Sequence, residues 1–172
     1  HRYLATSVGF LILVITVASW VEYSRSRAQR GAGAAVSAPV LSPWWPTVTL
    51  VWVCIQGAFG ALTVTMKLFP AIVTLHLVGG LVLLFLLCAQ AVRRTQIVQA
   101  VAPVPVPTAV RRWLWGALVL LSIQVVLGGW VSTNYAVLAC TEFPGCQGSL
   151  WPPMDFRQGF QVWRELGVLQ DG

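Results

Sequence analysis

Two histidines carry most of the chemistry this sequence offers, for His1 and His76 are its only imidazoles. His76 stands in PAIVTLHLVGGLVLLFLLCAQAV, residues 70–92, a run without a charged residue. As a helix that run extends about 34 Å, enough to cross a hydrocarbon core of about 30 Å. An ionisable group inside such a segment is costly and by default marks a functional site. Imidazoles facing inward from helices hold heme iron and metals. The plainer reading is a ring that hydrogen-bonds a neighbouring Ser, Thr or backbone carbonyl. A second candidate is CTEFPGC, which brings Cys140 and Cys146 together in a polar loop. Their spacing does not suit a zinc knuckle, which needs closer ligands and a second pair. A short disulfide turned by Pro144-Gly145 suits it outside the cytoplasm, either as a structural staple or as a redox-active pair.

The composition states what kind of element must position these groups. The chain is 57% hydrophobic and 9% charged, against about 25% charged in an ordinary soluble domain. Its mean hydropathy is +0.75. This is an all-α integral membrane protein rather than a soluble core. The net charge of +6 does not imply a nucleic-acid partner, because the arginines are confined to connections between apolar runs. Membrane lipid is the expected surrounding.

Four spans are expected, over residues 1–23, 47–66, 70–92 and 113–133. Residues 24–46 carry Arg25, Arg27 and Arg30 and then a small-residue, Pro-containing stretch read as a loop. Residues 93–112 begin and end on Arg pairs around AVAPVPVPTAV, whose prolines favour an extended backbone. Residues 134–172 are polar, aromatic and Pro/Gly-rich, and belong outside the membrane core. Asp155 can cap a helix there, with Phe156, Phe160 and Trp163 on one amphipathic face. Arg157 and Arg164 share a neighbouring face, where lipid phosphates or heme propionates are the candidate contacts.

The positive-inside rule sets the orientation. Arg25, Arg27, Arg30, Arg93, Arg94, Arg111 and Arg112 fall on two loops, which are placed in the cytoplasm or the mitochondrial matrix. The turn at 66–69, the 134–172 segment and His1 then lie outside. His76 is roughly 9 Å below the outer end of its helix, so both histidines belong to the outer leaflet. On neighbouring helices they would converge on one ligand. A faint repeat also joins Ile55-Gln56-Gly57-Ala58-Phe59-Gly60 to Ile123-Gln124-Val125-Val126-Leu127-Gly128, ending in Thr65 and Thr133, with a glutamine that needs a partner inside the bundle. It reads either as two related halves or as ordinary small-residue membrane packing. The first residue is His1 rather than Met, no signal-peptide n-region precedes the first span, and the expectation is an internal piece of a longer protein.

Three stretches carry a family resemblance. LGGWVSTNYAVLACTEFPGCQGSLWPPMDFRQGFQVWREL, residues 127–166, is similar to the fifth helix and following outer loop of the heme A synthase family. QGAFGALTVTMKLFPAIVTLHLVGG, residues 56–80, and HRYLATSVGFLIL, residues 1–13, resemble its third-to-fourth and second helices. The resemblance implies an eight-helix membrane enzyme made of two similar four-helix bundles, of proteobacterial type. It implies oxidation of a methyl group of heme O to a formyl group, giving heme A for terminal oxidases. The family's second helix opens on a Glu-x-x-His-Arg motif; here His1 and Arg2 match its end, and the catalytic glutamate is expected before His1. His76 matches the fourth-helix histidine. By resemblance, His1 and His76 are the axial heme-iron ligands of the first half, with Arg2 at a propionate or the helix end. Cys140 and Cys146 match the outer-loop pair of the second half, and a heme b is expected on the histidines of helices that would follow Gly172. The implied setting is a bacterial inner membrane with the cysteine loop periplasmic and heme O synthase as the supplier of heme O; a homo-oligomer stays open. A fragment of this extent is expected to be inactive alone. A bis-His electron-transfer cytochrome and a cofactor-free assembly protein remain the alternatives from other classes.

Overall fold

The computed structural model describes residues 2–32, 41–140, 142 and 144–163. The backbone is helical throughout its long elements: α1 (Arg2–Gly31), α2 (Trp44–Thr65), α3 (Pro70–Val98) and α4 (Thr108–Thr133). Each is long and apolar enough to cross a membrane. A 3-10 turn (Ala136–Ala139) and a single helical turn, α5 (Phe156–Gly159), follow.

The helices start where the sequence tolerates a missing amide. Pro46 sits in the first turn of α2 and Pro70 opens α3, positions whose N–H would have no partner within the helix. The ends of α2 and α3 close in the same way. The Leu68 amide donates to the Thr63 carbonyl and the Lys67 amide to Val64, the paired bonds of a Schellman cap. Lys67 takes the left-handed conformation (φ 49°) that glycine usually fills there. Ala100 (φ 50°) repeats the arrangement beyond α3, where Val101 donates to Gln96 and Ala100 to Ile97.

Burial runs opposite to that of a soluble protein. Among the described residues the buried polar side chains are Thr16, Thr49, Gln56 and Thr74, whereas Phe85 and Leu120 are exposed. Helices in lipid associate through small and polar groups, because their apolar side chains are equally satisfied by acyl tails. The chain is an all-α integral membrane protein.

Its contacts fall into two compact units. The first comprises His1–Ala58 and Gly79–Pro107, hence α1, most of α2 and the later part of α3. Thr16 Oγ1 donates to the Pro46 carbonyl, Trp20 Nε1 to Thr47 Oγ1, and Trp52 Nε1 to the Gly79 carbonyl at 2.8 Å. Gln90 Nε2 donates to Thr49 Oγ1, and Arg94 pairs with Glu22 at 2.8 Å. The second unit comprises Phe59–Val78 and Thr108–Gly172. In it Gly129 is buried against Leu77 and Thr74, and the hydroxyls of Thr74 and Thr133 are 3.2 Å apart.

Helical backbone extends past the sequence's apolar boundaries. α1 continues through the arginines to Gly31, and α3 through Arg93 and Arg94 to Val98. Arg, Gln, Ala and Glu are good helix formers, so the change in polarity marks where lipid should end, not where the helix does. In the outer segment Asp155 Oδ1 caps α5 by accepting from the Gln158 amide at 3.0 Å. The expected amphipathic helix is one turn within the described residues; Gly159 costs about 1 kcal/mol relative to Ala in a helix interior and favours a stop. Phe156 and Phe160 are exposed, while Trp163 stacks on Phe69 with ring centroids 4.6 Å apart.

Candidate functional site

His76 lies on the second turn of α3, within the second unit, and is half-buried. Its Nδ1 is buried and has no hydrogen-bond partner among the described residues. A buried polar group left unpaired costs about 1–3 kcal/mol. The hydrogen bond to Ser, Thr or carbonyl that would make this histidine merely structural is therefore not formed at that nitrogen.

The ring is seated by a glycine. A Cβ built at Gly60 of α2 would lie 3.2 Å from His76 Cε1 and 3.6 Å from Nε2. That is tighter than ordinary van der Waals contact, so the missing side chain at Gly60 is what lets the imidazole approach the helix this closely. The Gly60 carbonyl also accepts from Thr63 Oγ1 at 2.7 Å, so this turn of α2 is tied locally while its surface stays bare. About two turns before His76, Phe69 and Pro70 are buried. Gly60 stands in the repeat read from the sequence, but its contact with His76 depends on how the helices cross and is not visible there.

Gln56 is the other orphaned polar group. It is 7% exposed, and its Oε1 has no partner among the described residues. Its amide fills the space above Gly79, where a Cβ would stand 1.8 Å from Nε2. The glutamine does turn inward, but the partner expected for it inside the bundle is not found at Oε1 among the described residues. The repeat does not extend to its partner positions: Gln124 is exposed, Gly128 has open space where its Cβ would be, and the buried glycine of α4 is Gly129.

Cys140 and Cys146 form a disulfide. Around it the Cys146 amide donates to the Ser149 carbonyl at 2.8 Å, and the Gly148 amide to Glu142 Oε1 at 2.7 Å. Cys140, Glu142 and Pro144 are exposed, and Gly145 and Cys146 half-buried. Trp130 Nε1 of α4 donates to the Gly159 carbonyl at 2.8 Å, tying the later part of the outer segment to the helix end. His1, the Arg2 side chain and Arg164 lie outside the described residues, so the expected His1–His76 pairing rests on the sequence. Arg157 is exposed. No group of three or more His, Cys, Asp or Glu side chains suited to a metal ion occurs among the described residues.

An iron ligand fits the chemistry of His76. It is an imidazole nitrogen, withdrawn from water and from hydrogen bonds, on a helix of a membrane protein. The comparisons with known proteins run the length of the chain. The family model COX15-CtaA, described as cytochrome oxidase assembly protein, matches residues 1–169. A heme A synthase of Shewanella oneidensis is 34% identical over 180 aligned residues, which cover 98% of this chain and 48% of that protein. A heme A synthase of Symbiobacterium thermophilum is 28% identical, covering 98% of this chain and 53% of that one. The chain thus spans about half the length of the curated relatives it matches. No solved structure matches.

Proposed function

The chain belongs to the COX15-CtaA family of cytochrome oxidase assembly proteins, and from that premise we propose that it is part of a heme A synthase. The observation that carries the reading is the buried, unpartnered Nδ1 of His76, on the residue that the family resemblance singles out as a heme ligand. The activity is oxidation of a heme O methyl group to the formyl group of heme A, with heme O as substrate and heme O synthase as its source.

His76 of α3 and His1 are the residues that would hold the heme iron. Arg2 pairs with a propionate or steadies the start of α1. Bound heme supplies redox chemistry that no side chain here can supply. The protein's own part is to hold and orient. Gly60 leaves the imidazole its place, and the surrounding apolar helices keep bulk water from the ring.

The setting is a bacterial inner membrane, with the arginine loops cytoplasmic and the Cys140–Cys146 loop periplasmic. The ion pair between Glu22 and Arg94 supports that topology, because it puts the polar ends of α1 and α3 on one side.

The test uses full-length protein carrying His76→Ala or His76→Met. Both variants are expected to lose or shift the heme absorption band and to stop heme A output. Unchanged spectra and unchanged output would remove His76 from the site. Reversible reduction of the wild-type heme without conversion of heme O would favour an electron-transfer cytochrome instead.

A further inference from the structure

The first unit contains a cleft of about 370 Å³ that neither His76 nor Gly60 lines. Its walls are apolar, with Ile15 and Ala18 from α1 and Leu87 and Ala91 from α3. Its mouth is charged. Arg93 and Arg94 border it, and so does Glu22.

The charges at the mouth are arranged rather than scattered. Arg94 Nη1 is held by Glu22 Oε2 at 2.8 Å, which spends the one carboxylate on the one guanidinium. The Arg93 guanidinium lies 4.9 Å from the centre of the Trp45 ring, and Trp45 also lines the cleft. Cation–π contact orients a guanidinium and leaves its in-plane donors free. The rim therefore carries two positive groups against one negative, with Arg93 unpaired by any carboxylate among the described residues.

The depth of the cleft in the bilayer follows from a separate set of residues. Trp20 packs edge-on against both Trp44, with centroids 5.6 Å apart, and Tyr23, at 6.1 Å. Trp and Tyr gather at the headgroup level of membranes. This aromatic cluster belongs to the same ends of α1 and α2 that supply the cleft's Ser19, Glu22 and Trp45. An apolar groove that opens among arginines at headgroup level is complementary to an anionic amphiphile lying along the helices. Basic pockets between membrane helices on the cytoplasmic side take acidic phospholipid headgroups for this reason.

We infer that this cleft binds one anionic phospholipid, with its phosphodiester at Arg93 and Arg94 and an acyl chain along Ile15, Ala18, Leu87 and Ala91. Arg93 is the discriminating residue, because Glu22 already compensates Arg94. Loss of one basic group at an anionic headgroup is worth about fivefold in retention.

The experiment is native mass spectrometry of full-length protein in detergent, offered phosphatidylglycerol or phosphatidylcholine with identical acyl chains. The expected result is one phosphatidylglycerol retained with about fivefold preference. Arg93→Gln should abolish the preference, and Ala91→Phe should displace the lipid by filling the groove without changing the charge. Arg112→Gln, which removes an arginine that does not line the cleft, should leave retention unchanged. Equal retention of the two lipids would overturn the assignment, as would an equal loss in Arg112→Gln. Displacement of the lipid by glycerol 3-phosphate at matched concentration would overturn it in favour of a free phosphate ester. Failure of Ala91→Phe to fold leaves the Arg93→Gln and Arg112→Gln comparison to decide.

Discussion

The imidazole of His76 lies against the bare backbone of Gly60, with Cε1 3.2 Å from the point where a Cβ would stand. The two residues belong to successive helices joined by the tight turn at Lys67 and Leu68, both in left-handed conformation. The same turn brings Thr63 to the Leu68 amide at 2.8 Å, so the entry to α3 is fixed close to the histidine it presents.

Gly60→Ala should therefore be mild in stability and visible in the heme. The contact needs a shift of a few tenths of an ångström, and a ring at the end of a side chain can make it. Alanine also gains up to about 1 kcal/mol of helix propensity over glycine. Thermal unfolding should stay within about 1 kcal/mol of wild type, while the heme absorption band of full-length protein shifts. Gly60→Val should lose the band, since a branched side chain cannot share that space. An unaltered spectrum in Gly60→Val would show that the imidazole is not held there.

Gly79→Ala should be worse, and for a reason that can be isolated. Its Cβ would fall 1.8 Å from Gln56 Nε2 and 2.7 Å from Cδ, so the glutamine must leave its slot or the helices must part. Overpacking of this kind costs about 1–3 kcal/mol. Gln56→Ala removes the obstacle together with a carbonyl that has no partner among the described residues. The double variant should recover at least half the loss, a coupling that residues in contact commonly display. Additive losses in a detergent unfolding assay would mean that the clash is relieved some other way.

How far the sequence reaches is clearest along α2. The four apolar runs, the inward Gln56 and the ionisable His76 are legible because each depends on residue type and length alone. The helix ends are not, because Ser24–Gly31 has the composition of a solvent-facing helix and simply extends α1. The repeat misleads for a related reason. Gln124 matches Gln56 in the string, yet it is exposed while Gln56 is buried. What decides burial is which face meets a neighbour, and α4 meets Thr74 and Leu77 through Gly129, one residue beyond the matching glycine. The Gly60–His76 contact is likewise a property of a helix crossing.

Thr133→Val tests whether polar contacts hold the second unit together. Thr133 Oγ1 is 3.2 Å from Thr74 Oγ1 and bonds the Gly129 carbonyl at 2.8 Å. Hydroxyl bonds between membrane helices average about 0.6 kcal/mol. The nearly isosteric valine should lower unfolding stability by about that amount and leave the heme spectrum unchanged. A loss several times larger would mean that the pair belongs to a wider buried network.

The Cys140–Cys146 disulfide separates a staple from a redox device. It closes a short loop, with a sequence separation of 6, and the chain-entropy relation gives such a loop about 2 kcal/mol of stabilisation. Cys140 is exposed and Cys146 half-buried, so a small-molecule reductant should reach the bond from the Cys140 side without unfolding the helices. As a staple, the bond should behave symmetrically. Reduction by dithiothreitol, Cys140→Ser and Cys146→Ser should each lower the unfolding midpoint by a similar amount, and the paired serine variant should be no worse than either single one. Heme A output of full-length protein, measured well below that midpoint, should then fall only in step with the folded fraction. As a redox pair, the bond should instead separate the two readouts: output lost in all three variants at a temperature where each remains folded. The loop's own contacts, Cys146 to Ser149 and Gly148 to Glu142, survive loss of the sulfur bridge in principle. They favour the staple, and the expected outcome is a lowered midpoint with output retained.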